Sequence, residues 1–211
     1  MIKYVEEQQL FHLATPNTSY VMALADGAWL GHLYYGPKLS DTTGMEKAFR
    51  LDEFPFSPKV NERDKVRFMQ TFPFEYSFFG TGDFRENCLS VENEYGQLGV
   101  ELTYRSFSVT EGKVVPEGLP HTRGCRECCD TLDVLMADDV LGLDVHLLYT
   151  VYKDLDVIVK SVRVVNRSDA PCTLKRVLSG QLNADLEESD VLTLHGSWGR
   201  ERTITDRKSV V

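Results

Sequence analysis

The stretch from Leu143 to Val151 alternates. Leu143, Val145, Leu147, Tyr149 and Val151 fall on one face, and Asp144, His146 and Thr150 on the other, with Leu148 the exception. Successive side chains of a strand point to opposite faces, so this period marks a half-buried antiparallel strand. After Lys153-Asp154-Leu155-Asp156 comes Val157-Ile158-Val159-Lys160-Ser161-Val162-Arg163-Val164-Val165, stopped by Asn166-Arg167-Ser168-Asp169. The run is rich in β-branched residues and ends in turn formers, which makes it the hairpin partner of the first. A lone hairpin cannot bury its apolar face, so a chain committed to hairpins must stack them or close them into a barrel.

The same pattern recurs along the chain. Ser19-Tyr20-Val21-Met22-Ala23-Leu24 is closed by Asp26-Gly27 and followed by Trp29 to Tyr35, a second hairpin. Cys172 to Leu178 and Val191 to Leu194 read as further strands. Helical spacing is nearly absent; its best instance, Thr42 to Arg50, is short and broken by Gly44. With 42% hydrophobic and 10% aromatic residues in 211, the chain can build a sizeable core. The expectation is an all-β, antiparallel sandwich or barrel with little helix, a single domain over 1–211. Asp52 to Asp83 is too long and too rich in Phe, Pro and charge for an idle connector, and is expected to carry function.

Charge narrows the partners. Against 32 acidic residues stand 23 Lys and Arg, a net charge of -9. Such a surface repels phosphate backbones and anionic membranes, so neither nucleic acid nor membrane is an expected partner. The start, Met1 to Gln9, holds no apolar stretch of signal-peptide length, and no run reaches the ~18 apolar residues of a membrane span. The expected location is the cytoplasm. Five cysteines, with Cys125, Cys128 and Cys129 crowded together, do not form a disulfide framework and read as free thiols.

Candidate chemistry is sparse. His121, Cys125, Cys128 and Cys129 are soft ligands within nine residues, but a closed zinc site draws a second ligand pair from another turn. No metal and no cofactor is expected. Gly80-Thr81-Gly82-Asp83-Phe84-Arg85 lacks the third glycine and following helix of a dinucleotide cradle, and reads as a structural turn. Asp138-Asp139, Asp154 with Asp156, and Glu187-Glu188 with Asp190 are expected in solvated turns. The most informative segment is Leu194-His195-Gly196-Ser197-Trp198-Gly199-Arg200-Glu201-Arg202, where an apolar strand runs into a glycine-flanked Trp and then charge. An uncrowded indole beside charge offers a flat apolar plate with hydrogen-bonding groups; the alternative is a Trp folded back to cap the sandwich.

Taken in order, Phe11-His12-Leu13, Ser19-Tyr20-Val21-Met22, His32-Leu33-Tyr34-Tyr35-Gly36, Gly80 to Arg85, Gly118-Leu119-Pro120, Thr131-Leu132-Asp133, Asp156-Val157-Ile158 with Ser161-Val162, and Gly196 to Glu201 form a series. The series resembles the N-terminal domain of family-36 glycoside hydrolases, the large bacterial α-galactosidases. The resemblance implies a large two-sheet supersandwich of the galactose mutarotase-like kind, preceding a (β/α)8 barrel that carries both catalytic aspartates. That barrel is absent from this chain, so no catalytic residue is assigned here. It further implies substrate contacts from Asp52, in Arg50-Leu51-Asp52, and from Trp198, and a homo-oligomer in which this domain helps close another subunit's pocket. A basic position of the family falls at or near Lys65; Lys stands there where Arg is usual and cannot supply Arg's planar fork, so Lys65 is not assigned.

The first reading is therefore a part of a retaining α-galactosidase acting on terminal α-linked galactose, as in melibiose or raffinose, with α-galactosides, the barrel and further copies as partners. The second is a stand-alone carbohydrate-binding or assembly module. A small enzyme in its own right is the third.

Overall fold

Residues 1–49, 72–80, 86–183 and 190–208 are described by the structure, a computed structural model. Its strands are β1 (Ile2–Val5), β2 (Leu10–Ala14), β3 (Thr18–Ala25), β4 (Trp29–Pro37), β5 (Leu89–Glu92), β6 (Thr103–Glu111), β7 (Cys129–Asp138), β8 (Leu143–Tyr152), β9 (Ile158–Asn166), β10 (Thr173–Val177), β11 (Asp190–Ser197) and β12 (Arg200–Lys208). β1 to β4 form one antiparallel sheet in sequence order, and β6 to β9 another. β5 pairs with β10, and β11 with β12, each as a two-stranded antiparallel sheet. The all-β expectation holds. The stretch Thr42 to Ala48 contributes only a 3-10 turn, Met45–Ala48, entered through Gly44 at φ 79.

Both hairpins expected from the sequence form. Asp26 and Gly27 sit at φ 51 and 68, with Ala28 N–H donating to the Ala25 carbonyl at 3.0 Å, a turn whose twist suits the flanking strands. In β8 the residues Leu143, Val145, Leu147, Tyr149 and Val151 are buried as the alternation requires. Leu148 and Thr150 are buried as well, on the opposite face. There Thr150 shares a hydrogen bond with Thr131 at 2.9 Å, and Thr131 donates to the Gly112 carbonyl at 2.7 Å.

One apolar core joins the two large sheets, with Phe11, Met22 and Leu30 from one and Leu132, Val145 and Leu147 from the other. Aromatic rings cross between them. Phe11 meets Phe107 edge to face at 5.2 Å, and Tyr20 lies 6.2 Å from Tyr149. Gly31 in β4 is fixed by this packing. A Cβ there would come within 2.6 Å of both Phe49 and Phe72, so only glycine lets these rings close on the strand.

At the centre of that core stands a carboxylate. Glu75, fully buried, accepts from Tyr20 Oη at 2.6 Å, Tyr149 Oη at 2.9 Å, Lys160 Nζ at 2.6 Å and His32 Nδ1 at 3.3 Å. Tyr20 and His32 belong to the first sheet, Tyr149 and Lys160 to the second, so one side chain ties both together. Lys160 also donates to the Gln181 carbonyl at 2.6 Å, and its ammonium lies over the Tyr20 and Tyr149 rings at 5.0 and 5.5 Å. Burial pushes the Glu75 carboxyl up, but the His32 hydrogen bond and the Lys160 charge outweigh it and hold it below the usual carboxylate range. Burial and the Glu75 charge push the Tyr20 and Tyr149 phenols up, which keeps both as donors.

Two outcomes follow from this network. Removing one member leaves the other charge in the core without its counter-charge, so Glu75→Gln or Lys160→Met should each cost about 3–5 kcal/mol in urea unfolding, and the double variant less than their sum. A folded-state carboxyl pKa below its unfolded value gives stability that is present above about pH 4.3 and lost as pH falls through the folded value. The stability gap between wild type and Glu75→Gln should therefore be full at neutral pH and shrink in acid. A gap that does not change with pH would contradict the assignment.

Candidate functional site

β11 and β12 form a hairpin whose tip is the two-residue turn Trp198-Gly199, closed by the pairing of Ser197 with Arg200. The glycines explain its shape. Gly199 takes φ 76, where side chains are strained, and its N–H donates to Glu201 Oε1 at 3.1 Å. A Cβ on Gly196 would stand 3.1 Å from the Glu201 Cα, so Gly196 leaves room for a register shift after His195. Trp198 is 99% exposed. The alternative of an indole folded back onto the sandwich is thereby excluded, and the uncrowded reading stands.

The hairpin carries more apolar surface than its tip. Leu192 and Leu194 lie two apart on one face of β11, and Ile204 is paired directly across from Leu194. All three are exposed. Among the described strands, β11 and β12 are hydrogen-bonded only to each other. Asp52 and Lys65 lie outside the described residues, as do Thr81 to Arg85 and Glu187-Glu188.

Three carboxylates singled out in the sequence, Asp138, Asp139 and Asp156, have structural work. Asp138, expected in a solvated turn, is instead buried. Its Oδ1 accepts from the Val140 and Leu141 N–H groups at 2.8 and 2.9 Å and its Oδ2 from Glu101 N–H at 2.8 Å, so it closes the β7–β8 turn from inside. Asp139 pairs outside with Arg105 at 2.6 Å and Arg167 at 3.6 Å. Asp156 is exposed but accepts from Thr15 Oγ1, Asn17 N–H and Asn17 Nδ2 at 2.7 to 2.8 Å, pinning the β8–β9 turn to the β2–β3 turn. The Asn17 and Thr15 hydrogen bonds hold its carboxyl below the ordinary value.

Glu75 was not singled out in the sequence, yet Lys160 stands opposite Tyr149 on the inward face of β9, a charge in a valine-rich strand. That was the available signal. Its surroundings are closed: the cavity beside Glu75, Tyr149 and Lys160 has room for about 10 Å³, too little for a sugar ring. The network is a structural junction.

A second correction concerns sulfur. Cys125 and Cys128, read as free thiols, are joined in a disulfide, while Cys88, Cys129 and Cys172 are free. The turn Cys125-Arg126-Glu127-Cys128, closed by Cys128 N–H on the Cys125 carbonyl at 3.2 Å, brings their Cα atoms within 5.1 Å. Among the described residues no group of three His, Cys, Asp or Glu side chains has a metal-binding arrangement.

The exposure of Trp198 has a spectroscopic consequence. The chain has two tryptophans, and Trp29 is only 6% exposed. Acrylamide should quench one red-shifted component readily and one blue-shifted component poorly, and Trp198→Phe should abolish the first alone. A single poorly quenched population would contradict the placement.

Comparison with known proteins gives the hairpin and the sandwich a context. The model of the glycosyl hydrolase family 36 N-terminal domain matches residues 28–210. The α-galactosidase AgaA of Geobacillus stearothermophilus is 34% identical over 210 residues, 99% of this chain and 29% of AgaA. The crystal structure of the family-36 α-galactosidase AgaB from the same organism superposes with a TM-score of 0.89 at 33% identity, covering 100% of this chain and 28% of AgaB. A substituted AgaA solved in complex with raffinose superposes at 0.86 with 34% identity, covering 95% of this chain and 28% of that one. The chain thus spans under a third of the length of these relatives.

Proposed function

Because the chain belongs to glycosyl hydrolase family 36, as its N-terminal domain, we propose that it is the non-catalytic, substrate-contacting part of an α-galactosidase acting on terminal α-linked galactose. The observation that carries the reading is Trp198, held bare at the tip of a glycine-shaped hairpin in a chain of this family.

The chemistry divides in two. Retaining hydrolysis needs a nucleophile and an acid/base some 5–5.5 Å apart across the scissile bond. The described carboxylates detailed above bind backbone, threonine, asparagine or basic groups within the domain, and the buried one has no room beside it for sugar. Both catalytic carboxylates are assigned, as the resemblance to the family implies, to a (β/α)8 barrel in the same enzyme. What this domain supplies is recognition. An indole presents a flat apolar plate to the C–H face of galactose, and a carboxylate, Asp52, accepts from sugar hydroxyls. Neither alone discriminates well; together they select a ring with hydroxyls in one arrangement. The complex of a relative with raffinose, which bears a terminal α-galactosyl group, supports this substrate class. The exposed apolar face of Leu192, Leu194 and Ile204 supports a role in assembly, against the barrel or a second copy.

The test has two arms. The isolated 211-residue chain should not turn over a chromogenic α-galactoside above a heat-killed control; turnover would overturn the division of labour. In a protein joining this chain to an α-galactosidase barrel, Trp198→Ala and Asp52→Ala should each lower kcat/KM by about tenfold to a hundredfold, with folding intact. Unchanged kinetics in both would remove them from the site.

A further inference from the structure

The loop from Gly112 to Cys128, between β6 and β7, carries a feature that sugar recognition does not use. Cys125 and Cys128 are disulfide-bonded and both exposed, and the other described sulfurs differ from them. Cys88 and Cys129 are buried, and burial pushes both thiols up; Cys172 is half-buried.

This bond does not serve as a staple. Its ring encloses only Arg126 and Glu127, and a ring so short excludes few conformations of the unfolded chain. The loop is also held without it. Gly112 N–H donates to the Cys129 carbonyl at 2.7 Å and Lys153 N–H to the Cys128 carbonyl at 2.9 Å. Tyr152 Oη donates to the Arg123 carbonyl and accepts from Thr122 Oγ1 at 3.1 Å. Arg126 Nε pairs with Glu111 at 2.8 Å.

The bond is also open to attack. Cys125 and Cys128 line a hollow of about 380 Å³ with Arg123, Gly124, Tyr152, Asp154 and Leu155, wide enough for a small thiol. Arg123 precedes the pair and lines the hollow, Arg126 lies between the two cysteines, and nearby cationic charge favours the departing thiolate.

We propose that Cys125 and Cys128 form a redox-active pair that exchanges with low-molecular-weight thiols, a site of reversible thiol modification on this domain. The thiolate of the small molecule attacks one sulfur; the Cys125–Cys128 bond breaks as a mixed disulfide forms, and the other cysteine leaves as a thiolate that takes a proton from water. A second small thiolate attacks the small-molecule sulfur of the mixed disulfide; the small-molecule disulfide forms as the bond to the cysteine breaks, and that cysteine leaves as a thiolate and is protonated. Two protein thiols and one small-molecule disulfide result, two electrons having passed to the protein. The reverse sequence, with the small disulfide as oxidant, restores the bond.

The experiment equilibrates the folded chain in mixtures of reduced and oxidised glutathione, traps thiols with an alkylating reagent under native conditions, and reads the sites by mass spectrometry. Cys125 and Cys128 should gain and lose adducts together and reversibly, with Cys88 and Cys129 untouched. The fully reduced chain should keep its near-ultraviolet circular dichroism, and its Tm should fall by no more than about 8 °C. In Cys125→Ser and in Cys128→Ser the remaining sulfur should accumulate a glutathione adduct that wild type resolves. A bond that resists reduction until the chain is denatured, a reduced chain that unfolds, or single variants that take no adduct would each overturn the proposal.

Discussion

A carboxylate with no water around it must find its hydrogen bonds inside the protein or lose its charge, and Glu75 finds four donors. They come from β3, β4, β8 and β9, so the arrangement exists only when the two four-stranded sheets face each other in one register. A one-residue slip of β9 would turn Lys160 outward and leave the carboxylate without its counter-charge. Apolar packing between the sheets tolerates small displacements; this network does not. Lys160 reaches further, to the Gln181 carbonyl, and Gln181 and Asn183 in turn bond to the segment that carries Glu75, through Ser77 N–H and the Phe74 carbonyl. The chain is thus fixed to the core at Asn183, seven residues before β11 begins at Asp190.

This arrangement separates two mechanical parts with two tasks. The sandwich is pinned by buried charge, crossing aromatic rings and the Asp156 clamp between turns. The hairpin offers Trp198, Leu192, Leu194 and Ile204 outward. Stacking on a sugar needs an aromatic plate that is held at its base and uncovered at its end, because a buried indole has no face to give and a floppy one loses entropy on binding. Two glycines meet that need locally: Gly199 makes the turn, and Gly196 lets the backbone of Glu201 come close. The membership in family 36 gives the plate its proposed substrate.

Much of this was legible in residue order alone, where local rules suffice. Alternation from Leu143 to Val151 and the Asp26-Gly27 turn each depend on neighbours in sequence, and the strands and hairpins they imply are present. The bareness of Trp198 was also legible, since its glycines sit beside it. The Glu75 junction was not, because its donors are spread over 140 residues from Tyr20 to Lys160 and only the sheet topology brings them together. Asp138 shows the same limit on a smaller scale: Asp138-Asp139 looks like a solvated pair, but the turn directs one carboxylate inward to backbone N–H groups and the other outward to arginines. The disulfide was missed for another reason. An odd number of crowded cysteines argues against a framework, whereas Cys125 and Cys128 are paired by the tight turn between them.

The claim that Glu75 locks the sandwich, while the β11–β12 hairpin lies outside that lock, is tested most directly by native-state hydrogen exchange of the isolated chain, read strand by strand. Amides of β3, β8 and β9 should exchange together, only through global unfolding, and should lose that protection together in Glu75→Gln. Those of β11 and β12 should exchange much faster, at rates the substitution leaves unchanged. Protection in the hairpin equal to that of β8, or a Glu75→Gln variant in which only the strand segments touching residue 75 are affected, would contradict the account.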